Sequence, residues 1–330
     1  MKAVQIRATG GPEVLEFVEL PDPVPGEGEV RVRTLAIGVG MPDVMVRRGI
    51  YPWMPALPAI LGIESAGVID ALGPGVQTCQ VGQGVYVNAR DLPERSGGYA
   101  QFRVAPAGAV QPLPAGVDPV RAAALGNYQV ALSLLRVVEP LPDGTTVAIL
   151  GAAGGVGSAL LQVARLRGLK VIAVAGSDDK CAWLRSQGAD ETVNHRSEPI
   201  AIGIARSTGG AGASVIFDPV GGQTLPTLFE ALAPLGTVVS YGGLGGTRDP
   251  QTVAAMMRCF GSSPALRMFS MHTWDAQPQV RREISLEVIR LLAEGRIDPP
   301  IHARLPLARA RQAHELFESH AQRGKIVLEP

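Results

Sequence analysis

Only three cysteines occur in 330 residues, at Cys79, Cys181 and Cys259. A set so small, odd and scattered excludes a disulfide framework and a cysteine-clustered zinc lobe. Charge of one sign is also missing: 30 basic side chains meet 30 acidic ones, for a formal net charge of zero. That removes the basic face that nucleic acid or an anionic membrane needs. No apolar run reaches the length of a membrane span, because Gly, Pro or charge interrupts each one. The opening Met1-Lys-Ala-Val-Gln-Ile-Arg runs straight into a strand pattern, without the apolar centre and cleavage site of a signal peptide. The expectation is a cytoplasmic protein that handles a small molecule and has neither nucleic acid nor membrane as partner.

What is present in quantity is apolar residue, 46%, together with 40 glycines and 27 prolines. The length suits two domains, and strand-like runs between the glycines and prolines indicate tight turns, not disorder. The first hundred residues read as short strands, such as Val30-Arg-Val-Arg-Thr-Leu and Gly84-Val-Tyr-Val-Asn, separated by turn signals. Such spacing suits a small barrel-like module. Residues 118–138 read as helices leading out of it. Strands near 147–150, 170–175, 191–193, 214–218 and 236–241 then alternate with helices, the pattern of a doubly wound parallel sheet. An amphipathic helix from about 279 stops at Gly295, a second covers about 307–321, and 324–328 is a strand. A final helix and strand have no place in the nucleotide sheet, so the chain is expected to return to the first module.

The strongest local signal lies at residues 147–157, Val-Ala-Ile-Leu-Gly-Ala-Ala-Gly-Gly-Val-Gly. A buried strand, a Gly-rich turn and a helix with Val156, Leu160, Val163 and Ala164 on one face follow in order. The spacing Ala152-x-Gly154-x-x-Gly157 is a dinucleotide fingerprint with Ala in its first position. Gly154 would let backbone approach a pyrophosphate, Gly157 would let the helix pack on its strand, and the helix N-terminus would face the phosphates. At the end of the next strand an NAD-selective site places a carboxylate for the ribose 2′-hydroxyl. Here Ala175 and Gly176 stand there, followed by Ser177 and Lys180, and Arg196 follows the third strand. Ser177 supplies a donor, and Lys180 and Arg196 supply charge, for a 2′-phosphate, which favours NADPH. The competing role for Ser177 is to cap the helix that starts at Asp178.

Taken together, the whole chain resembles a zinc-free medium-chain dehydrogenase/reductase of the quinone oxidoreductase (zeta-crystallin-like) branch. The resemblance rests on Leu61-Gly-Ile-Glu-Ser-Ala-Gly67, Gly97-Gly-Tyr-Ala-Gln101, Ile149-Leu-Gly-Ala-Ala-Gly-Gly-Val-Gly157, Ala175-Gly-Ser-Asp-Asp-Lys180, Phe217-Asp-Pro-Val-Gly-Gly222 and Gly324-Lys-Ile-Val-Leu328. It implies an α/β fold with a GroES-like β-barrel catalytic domain (1–122 and 295–330) and a doubly wound Rossmann NADPH-binding domain (123–294). It implies coenzyme contacts from Gly40, Gln129, Gly151, Ala152, Gly154, Gly155, Val156, Gly157, Ser177, Lys180, His195, Arg196, Pro219, Val220, Tyr241, Gly242 and His320. It also implies a homodimer joined along the edge of the nucleotide sheet, around residues 262–270.

Zinc members of that family carry a Cys in the early loop and Gly-His-Glu in the next motif. Here the loop reads Gly38-Val-Gly-Met-Pro-Asp43, and Ile63 stands in the His position, so no metal is expected. Glu64 is expected to be a buried, paired structural carboxylate. Tyr51 and Asp43 are the candidate catalytic residues, each with a structural alternative: loop packing for Tyr51 and a hydrogen bond for Asp43. Relative to the branch, Gly40 replaces an Asn, Met45 a Tyr, His195 a Tyr and His320 an Arg. The expected activity is NADPH-dependent hydride transfer to a quinone or an α,β-unsaturated carbonyl. The alternatives are an enoyl-thioester reductase and a non-catalytic NADPH-binding structural or sensor protein. The five histidines, His314 among them, are expected to serve surface or packing roles.

Overall fold

A computed structural model of the chain describes residues 1–246 and 249–330. The described chain divides into two compact units: Met1–Gly126 with Ile289–Pro330, and Asn127–Val288.

The first unit begins with β1 (Lys2–Ile6) and β2 (Glu16–Glu19), followed by the long β3 (Glu29–Val39) and helix α1 (Met41–Arg48). Then come β4 (Ala59–Ile60), β5 (Glu64–Leu72), β6 (Gly84–Asn88), β7 (Phe102–Pro106), β8 (Val110–Pro112) and helix α2 (Pro119–Ala122), and helix α3 (Leu125–Arg136) carries the chain past Gly126 into the second unit. Helix α1 starts after Gly40, which is still extended, and Pro42 takes an early helical position, where its missing N–H costs nothing. Gly49 ends it in the left-handed conformation, φ 73°.

The second unit holds β9 (Thr146–Ile149), α4 (Gly155–Leu166), β10 (Lys170–Ala175), α5 (Asp178–Ser186), β11 (Glu191–Asn194), α6 (Ile200–Ser207) and β12 (Ala213–Asp218). It continues through β13 (Leu232–Ser240), α7 (Thr252–Arg258), β14 (Ala265–Met268) and α8 (Pro278–Ala293). Its sheet runs β11-β10-β9-β12-β13-β14, and every pairing is parallel. The strand order reverses between β9 and β12, which opens a crevice at the carboxyl ends of those two strands. Buried Ala148, Ile172, Val174, Ile216, Leu228 and Phe229 form a core on this sheet. Strand β14 exceeds the five strands expected from sequence; it is short, largely exposed and lacks a long apolar run.

The chain then returns to the first unit with β15 (Ile301–Pro306), α9 (Ala310–Glu318) and β16 (Lys325–Glu329). Helix α9 is shorter than the 307–321 expected: residues 307–309 form a 3-10 turn. Strand β16 lies inside the larger sheet, ordered β15-β16-β3-β5-β6-β8. The core beneath it gathers Ile6, Ile37, Val46, Tyr51, Leu61, Tyr99, Ala313 and Leu328. No helix among the described residues is long and apolar enough to cross a membrane.

Candidate functional site

In the second unit the fingerprint turn follows β9 at once. Gly151 takes φ 60°, a left-handed conformation that costs glycine little. Gly154 caps α4 without any side-chain acceptor. The N–H groups of Gly155, Val156 and Gly157 find no acceptor among the described residues. Three unsatisfied donors at the positive end of a helix form an anion site. Ala152 is buried, whereas residues 154–156 are partly exposed. A Cβ on Gly157 would lie 2.4 Å from the Gly151 carbonyl oxygen and 2.6 Å from Ala152 Cα, so helix and turn touch only because it is absent. A Cβ on Gly155 would lie 2.5 Å from Asn127 Nδ2, which brings α3 against the same helix end.

Helix α5 is treated differently. Ser177 Oγ accepts from Lys180 N at 3.3 Å, so the competing role, capping, is present. The bond uses an acceptor site and leaves the hydroxyl hydrogen available. Asp178 and Asp179 are exposed, and Asn194 Nδ2 holds Asp178 Oδ1 at 2.8 Å. A Cβ on Gly176 would sit 3.0 Å from His195 Nε2 and 3.5 Å from Arg196 Nε. Glycine therefore keeps a niche open beside an imidazole and a guanidinium. The Arg196 side chain makes no ion pair among the described residues.

Across the crevice, the fully buried Asp218 orders the turn after β12. Its carboxylate accepts from Val220 N (2.8 Å) and Gly221 N (3.1 Å), and its carbonyl accepts from Tyr241 N (2.9 Å). Pro219 faces Gly151, where a Cβ would meet Pro219 Cγ at 3.3 Å. A Cβ on Gly242 would lie 2.3 Å from the Pro219 carbonyl oxygen. Thus Gly151, Pro219, Val220, Tyr241 and Gly242 converge at the strand-order reversal. Burial and the Asp218 charge both push the Tyr241 hydroxyl far above its ordinary value, so it stays protonated. Gln129 Nε2 donates to Ser285 Oγ at 2.8 Å, which ties α3 to α8.

In the first unit a second polar cluster is built around β3. Asp43 is buried, and Oδ2 accepts from Gly40 N (2.8 Å) while Oδ1 accepts from Ile63 N (3.0 Å). This structural bonding joins the start of α1 to the 61–63 turn. Burial is the larger influence on the carboxyl and pushes it up to about 7. Glu64 is buried and paired: Oε2 accepts from Gly126 N (2.8 Å) and Tyr86 OH (3.1 Å), and Oε1 meets the Lys325 ammonium. Desolvation, with the Glu64 charge second, raises the Tyr86 hydroxyl well above its ordinary range. Lys325 went unnoticed in sequence, where it is one lysine in a strand; the only available signal was that a buried glutamate needs a cation.

Tyr51 lies in the apolar core, its ring 5.7 Å from that of Trp53. His320 is exposed and closes α9 with φ 53°. His314 is wholly buried, with Nε2 3.0 Å from Tyr99 OH; burial, aided by Arg47, pushes its imidazole down to about 3. Among the described residues no three of His, Cys, Asp and Glu gather as a metal-holding group.

Comparison with known proteins matches residues 26–115 to the alcohol dehydrogenase GroES-like domain and residues 187–328 to the zinc-binding dehydrogenase family. A quinone oxidoreductase of Pseudomonas aeruginosa is 33% identical over 100% of this chain and 99% of its own length. A 2-haloacrylate reductase of a Burkholderia species is 31% identical over 99% and 98%. The crystal structure of Escherichia coli quinone oxidoreductase complexed with NADPH has a TM-score of 0.90 at 30% identity, and all of each chain is covered.

Proposed function

We propose, on the premise that this chain belongs to the quinone oxidoreductase branch of the medium-chain dehydrogenase/reductase superfamily, that it reduces quinones or α,β-unsaturated carbonyls with NADPH. The observation that carries the coenzyme assignment is the pairing of an uncapped helix end at 154–157 with the Gly176 niche beside His195 and Arg196. The two sites fit a pyrophosphate and a 2′-phosphate respectively. The free N–H groups of Gly155, Val156 and Gly157 would hold the first. Ser177, Lys180 and Arg196 would hold the second, and the strand end itself, Ala175-Gly176, carries no carboxylate. When bound, the reduced nicotinamide supplies a hydride. Asp218 keeps the far wall of the crevice rigid through its own backbone bonds.

Zinc independence is part of the reading. The residues present do not fit the metal that the zinc-binding family description implies: Ile63 offers no ligand atom, and the Lys325 ammonium already sits on Glu64. A second copy of the chain is assigned to the open edge of the parallel sheet. Among the described residues strand β14 pairs only with β13, and Met257, Phe260 and Met268 stand exposed. The protein is read as cytoplasmic, which suits three free cysteines.

Calorimetric titration with NADPH and NADH, followed by NADPH oxidation with a panel of quinones and enones, tests the proposal. Binding of NADPH in preference to NADH, with turnover of at least one acceptor class, is the expected result. NADPH binding without turnover of any acceptor would favour a sensor, and no heat with either coenzyme would end the reading.

A further inference from the structure

Lys325 is a buried ammonium with more donors than partners. Its side chain is 4% exposed and crosses the inner face of β3 to reach Glu64. It can do so because Gly38 has no side chain: a Cβ there would lie 2.6 Å from Lys325 Cε and 2.9 Å from Glu64 Cγ. Glu64 Oε1 takes one of the three N–H groups. No second acceptor for the ammonium exists among the described residues. The nearby Asp43 carboxylate already receives two backbone N–H groups, and Glu64 Oε2 receives Tyr86 and Gly126. Leaving charged donors buried and unmade is costly, so such a group persists where something else accepts from it.

The direction of the missing acceptor is indicated by Gly40. It lies two residues along from Gly38, on the same face of the extended chain. A Cβ at Gly40 would meet only Pro42 Cδ at 3.5 Å, Lys325 Nζ at 3.7 Å and Asp43 Oδ2 at 3.8 Å, all ordinary contacts. Its φ of −145° suits any residue. Unlike Gly38, then, Gly40 is not demanded by packing, and at this partly exposed position the small hollow left by its missing side chain has the ammonium as a neighbour.

We propose that the hollow over Gly40 receives the carbonyl oxygen of the substrate and that Lys325 Nζ donates a hydrogen bond to it. The proposal rests on the reductase reading given above. When a hydride adds to the quinone ring or the β-carbon of an enone, the carbonyl π electrons move onto oxygen. Lys325 stabilises the oxyanion and keeps its own proton. The proton that completes the product comes from water, and NADPH leaves as NADP⁺. Glu64 acts as the positioning residue, with its charge balancing that of Lys325 in the resting protein.

The probe is 4-nitrophenol, whose yellow phenolate band reports stabilisation of an aromatic oxyanion without any turnover. Three proteins are compared, with and without NADP⁺: the native chain, the double variant Lys325→Met with Glu64→Gln, and Gly40→Val. The double variant removes both members of the buried pair, so neither is left uncompensated. Gly40→Val fills the hollow and leaves the ammonium in place. The native protein is expected to shift bound 4-nitrophenol toward phenolate by at least about tenfold. Both variants should lose that shift and drop kcat for 1,4-benzoquinone by roughly 100-fold, the cost of one oxyanion donor, and the double variant should do so with NADPH affinity unchanged. Variants that keep the phenolate band and the turnover would reduce Lys325 to a structural ion pair. A native protein that failed to bind NADPH would overturn the coenzyme reading instead, and its coenzyme-free phenolate band would still decide the role of Lys325.

Discussion

At the scale of single residues, the proposed coenzyme selectivity would divide between groups carried by different elements. Lys180 comes from α5 and Arg196 from the turn after β11. Each substitution to Ala should weaken NADPH binding by about 1–2 kcal/mol and leave NADH nearly unchanged, since only the 2′-phosphate carries the additional charge. Titration of both coenzymes checks this, and equal losses for the two would remove the assignment. Gly157→Ala places a methyl 2.4 Å from a carbonyl oxygen, so α4 must lift from its turn. Coenzyme affinity should fall at least about tenfold, with stability lowered by about 1–3 kcal/mol as in overpacked cores; a calorimetric and urea-melt pair of measurements reads both. Gly154 and Gly157 were legible in the sequence because their reasons are local: a strand, a turn and a helix start within eleven residues. Lys325 was not, because its partner lies 261 residues away and neither residue type announces the other. The Gln129 amide shows the same difficulty of distance: it finds Ser285, which is 156 residues away.

At the scale of elements, periodicity recovered most strands and helices of the parallel sheet, since alternation of apolar strand and amphipathic helix is a strong pattern. It missed β14 as a strand, because an edge strand needs little apolar sequence of its own. The same edge carries a prediction. Phe260→Glu, at a side chain that is 71% exposed, removes apolar area without touching the core. If the edge joins two copies, the variant should sediment as a monomer with coenzyme affinity retained. An unchanged sedimentation coefficient would place the contact elsewhere. The ends of α9 were misjudged because residues 307–309 have helical periodicity in sequence yet form a 3-10 turn.

At the scale of the molecule, two buried groups of the first unit tilt its stability against pH in opposite directions. The Asp43 carboxyl stands at about 7 in the fold against an ordinary 3.8, so folding favours its protonated form. That contribution is full below 3.8 and is lost as pH rises through 7. The His314 imidazole stands at about 3 against an ordinary 6.5, so folding favours its neutral form. That contribution is full above 6.5 and is lost as pH falls through 3. Between 3.8 and 6.5 each slope approaches about 1.4 kcal/mol per pH unit, and the two offset each other. Asp43→Asn should therefore make stability climb with pH more steeply than in the native chain across this window, and His314→Gln should do the reverse. Urea melts at several pH values measure both slopes, and slopes parallel to the native one would show that neither group is linked to folding. The sequence offers Asp43 as a candidate catalytic residue with a hydrogen bond as its structural alternative, and His314 as a surface or packing residue, but burial, which sets both titrations, arises only when α1 and α9 meet the same core.

Strand β16, which carries Lys325, is inserted between β15 and β3 instead of being laid along an edge. On the ribosome, the larger sheet must therefore wait with a vacant slot while the whole nucleotide half is translated and free to fold. A nascent chain released short of β16 would possess the whole parallel-sheet half but neither the Lys325 ammonium nor the strand that fills the slot.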